Sequence, residues 1–171
     1  MTPRSTHPDA GFGWIGVIVL ALVVILAIGA YFIQSQSSAG DTLGRASTKA
    51  RLNADGSLIV QRISGCALQY PTNAGTGPFP SYPDQPTSDL AEDLACPGSG
   101  ADLWSGADGV YFPPTLRGFG DWTYHHDTDG IWIEITGAPA DQVLLDEVVS
   151  EFGAAAAQPT PGTLRLFVRG T

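Results

Sequence analysis

The spacing of hydrophobic residues changes repeatedly along the chain, and each pattern predicts an element. From Ile15 to Ile33, nineteen consecutive residues carry no charge and no strongly polar group. As a helix this run rises about 28 Å, close to the hydrocarbon thickness of a bilayer. It is longer than the apolar core of a secretory signal, although Ser37-Ser38-Ala39 offers a small-residue cleavage site. The prediction is a membrane-spanning helix over 12–34. Beyond it, Leu52, Ile59, Ile63, Cys66 and Tyr70 fall at steps of seven, four, three and four, and Ala46, Ala50 and Ala54 form a second row at steps of four. That is the period of an amphipathic helix, predicted within 35–70 and stopped by Pro71. Gly56 costs about 1 kcal/mol in a helix interior, which predicts a kink or break near Asn53–Gly56. The competing reading makes the same four residues the turn of a hairpin.

The remainder, 71–171, is a globular segment. Its first thirty residues are rich in Pro, Gly, Ser and Asp and predict a long irregular loop. From Leu103 onward the period becomes two. Gly109–Pro114 predicts a short edge strand stopped by proline. Asp121–His126 and Gly130–Thr136 predict a hairpin around Asp127-Thr128-Asp129, with Gly130 closing the turn. Ile131, Ile133 and Ile135 alternate with Trp132, Glu134 and Thr136, so one face is aliphatic. Val143, Leu144, Glu147, Val148 and Phe152 give a mostly apolar helical stripe ending at Gly153. A spacer, Ala154–Gly162, leads to a final strand over Thr163–Arg169. The sum is an α+β fold: a long N-terminal helix, a small antiparallel sheet and one further helix.

Charge narrows the partners. The net charge is −9, and after Cys66 there are 14 acidic residues against three basic ones, a local charge of −11. Such a surface repels phosphates, so no nucleic-acid partner is expected. Cys66 and Cys96 are too far apart for a CxxC pair, and two thiols alone make a poor zinc site. Outside the cytoplasm they predict a disulfide closing a loop of about 30 residues, worth ~3.7 kcal/mol by chain entropy. The alternative is two buried free thiols. Membrane orientation is contested. Arg45, Lys49 and Arg51 against Arg4 favour a cytoplasmic C-terminus by the positive-inside rule. The cysteine pair and the acidic domain favour the opposite, and the orientation adopted is N-terminus inside.

Gly11-Phe12 stands directly before the apolar run. A short polar leader, Gly-Phe and about twenty apolar residues together resemble the type IV pilin and pseudopilin family. The resemblance implies cleavage after Gly11 by a prepilin peptidase, an 11-residue leader (1–11), and methylation of Phe12. It implies that the apolar segment, with Ile15, Val19, Leu22, Leu26 and Ile33, is kept as a membrane and assembly helix. The lower half of one long helix then lies in lipid and bundles with other pilin-like subunits, and its upper half packs under the small domain. The site implied is the inner membrane, single-pass, with a periplasmic or extracellular C-terminal domain. A disulfide at Cys66 would fasten the following loop to the helix end. One position departs from the pattern: Gly16 stands where the family usually has Glu, which favours a minor subunit over the main polymer-forming one. The alternative is a single-span or secreted binding module that joins no filament.

Candidate chemistry is sparse. His125 and His126 are adjacent on a strand and point to opposite faces, so they are not expected to share a metal. Asp127 and Asp129 are turn residues, and Asp127–Gly130 lacks the further ligands of a calcium loop. Nucleophile-elbow, phosphate-loop and HExxH motifs are absent from the sequence. No catalytic role, metal or cofactor is expected. Trp104, Trp122 and Trp132, with Tyr111, Phe112 and Tyr124, are expected in the core rather than in an exposed binding strip.

Overall fold

The computed structural model describes residues 43–69, 74–98 and 100–170. The chain divides into two units, Met1–Gly44 and Arg45–Thr171, and nearly all of the described residues lie in the second. Helix α1 runs over 43–69. It is followed by β1 (Thr123–Asp127), β2 (Gly130–Thr136), α2 (Gln142–Phe152), β3 (Ala156–Ala157) and β4 (Thr163–Arg169), with 3-10 turns at Ala91–Asp93, Pro139–Asp141 and Gly153–Ala155. The four strands form one antiparallel sheet in the order β1-β2-β4-β3.

The helical period is realised as expected. Leu52, Ile59, Ile63 and Cys66 enter one core with Ile131, Ile133 and Ile135 of β2, Leu164 and Leu166 of β4, and Leu144, Leu145 and Val148 of α2. Ala46, Ala50 and Ala54 are exposed. The two helices are also joined laterally. Lys49 Nζ lies 3.1 Å from Glu147 Oε2 and 2.7 Å from Glu151 Oε1, and Asn53 Nδ2 donates to Glu151.

The break predicted at Gly56 does not occur, for α1 is unbroken from 43 to 69. Gly56 is there because of how closely the helix meets the sheet. A Cβ at this position would sit 2.4 Å from Leu166 Cδ1 and 3.4 Å from Trp122 Cη2. The cost in helix propensity is offset by the contact it permits, since Leu166 and Trp122 are both buried.

The hairpin and the last strand form where the alternation placed them. Asp127 pairs with Gly130 across a two-residue turn, and Asp129 N–H donates to Asp127 Oδ1 at 2.8 Å. The second face of β2 is also partly covered. Trp132 is buried there, with the His125 ring stacked at 5.3 Å and the Arg165 guanidinium 4.5 Å from its centroid. Glu134 holds Arg165 at 3.0 Å.

Two expectations need correction. Gly109–Pro114 is not a strand. Pro113 and Pro114 cannot donate to a ladder. Both sides of the sheet are also occupied by other residues. At β3 the two residues Ala156 and Ala157 pair with Leu166 and Arg165. They lie in what the sequence presented as a spacer. At β1 the edge is met by 85–91. Tyr124 N–H donates to Asp89 O at 2.8 Å and Ala91 N–H to Trp122 O at 2.9 Å. The Gln85 amide completes the edge like a one-residue strand: it donates to Tyr124 O at 2.5 Å and accepts from His126 N–H at 2.9 Å. An open edge that invites foreign strands is thereby blunted.

Gly56→Ala should lower stability by about 1–3 kcal/mol, the range for overpacking a filled core, despite the better helix propensity of Ala. Denaturant unfolding of the variant checks this. A gain of about 1 kcal/mol, as at an exposed helical glycine, would show that the close approach is not limiting.

Candidate functional site

Helix α1 carries the disulfide and one wall of the cavity beside it. Its C-terminal end carries Cys66, which is bonded to Cys96 with a Cα–Cα separation of 5.7 Å. Of the two readings open in the sequence, the disulfide is the one realised. Cys96 sits at the base of a small turn. Cys96 N–H donates to Ala101 O at 2.9 Å, Leu103 N–H donates to Leu94 O at 3.0 Å, and Ala95 bridges Asp102. The bond therefore fastens a loop that already has internal structure to the helix end. Beside it opens a cavity of about 410 Å³, lined in part by Arg62, Gln69, Asp102, Ser105 and Asp108. Arg62 Nη2 and Asp108 Oδ2 meet at 2.5 Å on its wall.

Charges along the helix flanks are set by these contacts. Bonding to Lys49 first, then to Asn53, holds the Glu151 carboxyl below its usual range. Arg62, followed by the Val110 N–H, does the same for Asp108. Asp55 is the opposite case. Desolvation pushes its carboxyl above the usual 3.8, against the pull of Arg51. Its Oδ2 is buried with no hydrogen-bond partner among the described residues.

The other sequence candidates separate. Gly11, Phe12, Ile15, Val19, Leu22, Leu26 and Ile33 lie outside the described residues. Among the described residues no helix is long and apolar enough to cross a membrane, and no group of three or more His, Cys, Asp or Glu side chains is placed to hold a metal. His125 and His126 project to opposite faces. His125 stacks on Trp132, and its Nε2 lies 3.2 Å from Thr123 Oγ1. That hydroxyl commits its one proton to Glu134 O at 3.2 Å. His126 turns inward and binds the backbone of 79–83. Of the six aromatic residues weighed as a binding strip, Trp104, Trp122, Trp132 and Tyr124 are buried, Phe112 is half-buried against Trp104, and Tyr111 is exposed. Burial pushes the Tyr124 phenol strongly up, and its hydroxyl donates to Pro83 O at 2.7 Å.

Sequence reasoning counted Lys49 only for its charge, and foresaw neither its pairing with α2 nor the Gln85 contact nor the inward role of His126. Their partners lie 98, 39 and 47 residues away in the chain, and no local pattern signals such pairings. Comparison of the chain with known protein families, with curated proteins and with solved structures finds no match.

Two outcomes are expected. Replacing Cys66 and Cys96 by serine should cost about 2–5 kcal/mol in unfolding free energy while leaving the far-ultraviolet helix signal in place. Unchanged stability would mean that the bond restrains nothing. For Asp55 the folded-state pKa is raised. The carboxylate therefore opposes folding progressively as pH rises from 3.8 through the folded value, and fully at neutral pH. Asp55→Asn should raise Tm at pH 7, with the gain fading below pH 3.8. An equal gain at both ends of a pH series of melting curves would refute the assignment.

Proposed function

We propose that this chain is a minor structural subunit of a type IV pilus or type II secretion-like filament, of the pilin and pseudopilin kind, acting by packing and not by catalysis. One observation carries the reading. Helix α1 is already formed at residue 43, ten residues beyond the end of the apolar run at Ile33, continues unbroken past Gly56, and buries Leu52, Ile59 and Ile63 beneath an antiparallel sheet. This is the arrangement expected for the upper half of a helix whose lower half serves as membrane anchor and bundling element. The Cys66–Cys96 bond suits an oxidising compartment on the far side of the inner membrane.

In this reading the apolar segment, Ile15 to Ile33, first rests in lipid and then packs against the same segments of neighbouring subunits. Its Val, Ile, Leu, Ala and Gly side chains allow close helix approach in either setting. Gly16 leaves no carboxylate near the mature N-terminus, which fits a subunit present in few copies. The acidic domain, tied at its loop by the disulfide, supplies the contacts that choose its neighbours.

Intact mass and N-terminal sequencing of the full chain recovered from host membranes should give a start at Phe12, carrying one methyl group. A start at Met1 would leave an ordinary single-span anchor and overturn the filament reading. A start near Gly40 would make the apolar run a removed address and the remainder a secreted binding module.

A further inference from the structure

His126 projects from β1 into the turn formed by 75–83, and both of its ring nitrogens are committed to backbone groups whose roles cannot change. Phe79 N–H can only donate, and it does so to Nε2 at 3.1 Å. Pro83 O can only accept, and it lies 2.7 Å from Nδ1. These partners fix a neutral imidazole with its proton on Nδ1. The fit around the ring is close. A Cβ on Gly77 would come within 2.4 Å of Cε1, and the Phe79 ring stacks on the imidazole at 5.9 Å.

Other bonds hold the turn to itself. Gly75 N–H donates to Pro80 O at 2.9 Å, Tyr82 N–H to Phe79 O at 2.9 Å, and Asp84 Oδ1 accepts from Thr76 and Gly77 N–H at 2.7 and 3.1 Å. The ionisable groups around the ring come from three elements. Arg169 of β4 places its guanidinium 4.7 Å from the Phe79 centroid and 5.8 Å from that of Tyr82. Asp84 belongs to the turn's own segment, and its carboxylate is engaged as described. Tyr124, on β1, meets the ring edge-on at 6.3 Å with its hydroxyl on Pro83 O, and Asp127 of β1 is turned to its own Asp129 N–H.

We propose that His126 is a proton-operated latch: the neutral ring holds the Phe79 turn closed, and protonation releases it. An imidazolium sets a second N–H against Phe79 N–H at 3.1 Å, leaving that donor without an acceptor beside the cationic Arg169. Pro83 O and the Gln85 amide are unaffected by the change and act as the hinge. The inference stands apart from the filament reading.

The test is nuclear magnetic resonance of the full chain from pH 8 to pH 5, following the His126 ring nitrogens and the exchange protection of the Phe79 amide, corrected for intrinsic rates. The expected result is an Nδ1–H tautomer at pH 8, and a fall in Phe79 protection of at least tenfold that tracks His126 protonation. Leu164 and Leu166 amides should keep theirs. In His126→Phe, Phe79 should be unprotected at pH 8 and insensitive to pH below it. Phe79 protection that persists after His126 has titrated overturns the proposal, as does an Nε2–H tautomer in the closed state. The wild-type titration decides the matter even if the variant does not fold.

Discussion

The rest of the fold depends on the distance between α1 and the sheet. At Gly56 that distance is too short for even one methyl group, because Trp122 and Leu166 already occupy the space. A helix held this close presents Leu52, Ile59 and Ile63 directly to the aliphatic face of β2 and β4 and leaves its flanks to polar residues. α2 then reaches α1 through Lys49 and Asn53, and Arg62 meets Asp108 on the segment after the disulfide. A wider spacing would leave Tyr124, Ile133 and Leu166 short of contacts on the helix side, and a filled core tolerates little of that.

How much of this was legible in the sequence depended on period. α1, the β1–β2 hairpin, α2 and β4 each repeat a hydrophobic spacing over seven or more residues or flank a turn with its own chemistry. Gly56 misled because propensity and packing pull in opposite directions, and packing wins where an added Cβ would meet the Leu166 side chain. Gly109–Pro114 misled because its aromatic residues suggested a strand, although Phe112 is needed against Trp104 and the sheet has no free place for it. Ala156–Ala157 is too short to carry a period of its own. Trp132 is buried as expected, although it lies on the face of β2 opposite the aliphatic one. It is buried because His125 and Arg165, on two neighbouring strands, close over its ring. The candidate site was legible only in part. The cysteine pairing followed from there being two thiols, whereas the His126 and Gln85 contacts depend on a long irregular loop whose path no pattern encodes.

The sheet is finished at its edges by small means. One side ends in two alanines. The other borrows a glutamine amide in place of a peptide group. One is a strand of only two residues and the other is no strand at all, yet both limit the backbone left open to pairing. An acidic surface adds general repulsion between copies. Strand addition at either edge is thereby disfavoured.

The run of α1 also has a mechanical meaning. About 35 Å of helix separates its start at 43 from Cys66, and the core residues Leu52, Ile59 and Ile63 lie between. A pull applied at residue 43 along the helix axis is carried by α1 itself. The buried rows resist it together, in shear, and the covalent bond at Cys66 takes the remainder at the far end. The strands are not loaded one after another, as they would be if the chain entered through the sheet. The helix is in effect a tang set lengthwise in its handle and pinned at the tip.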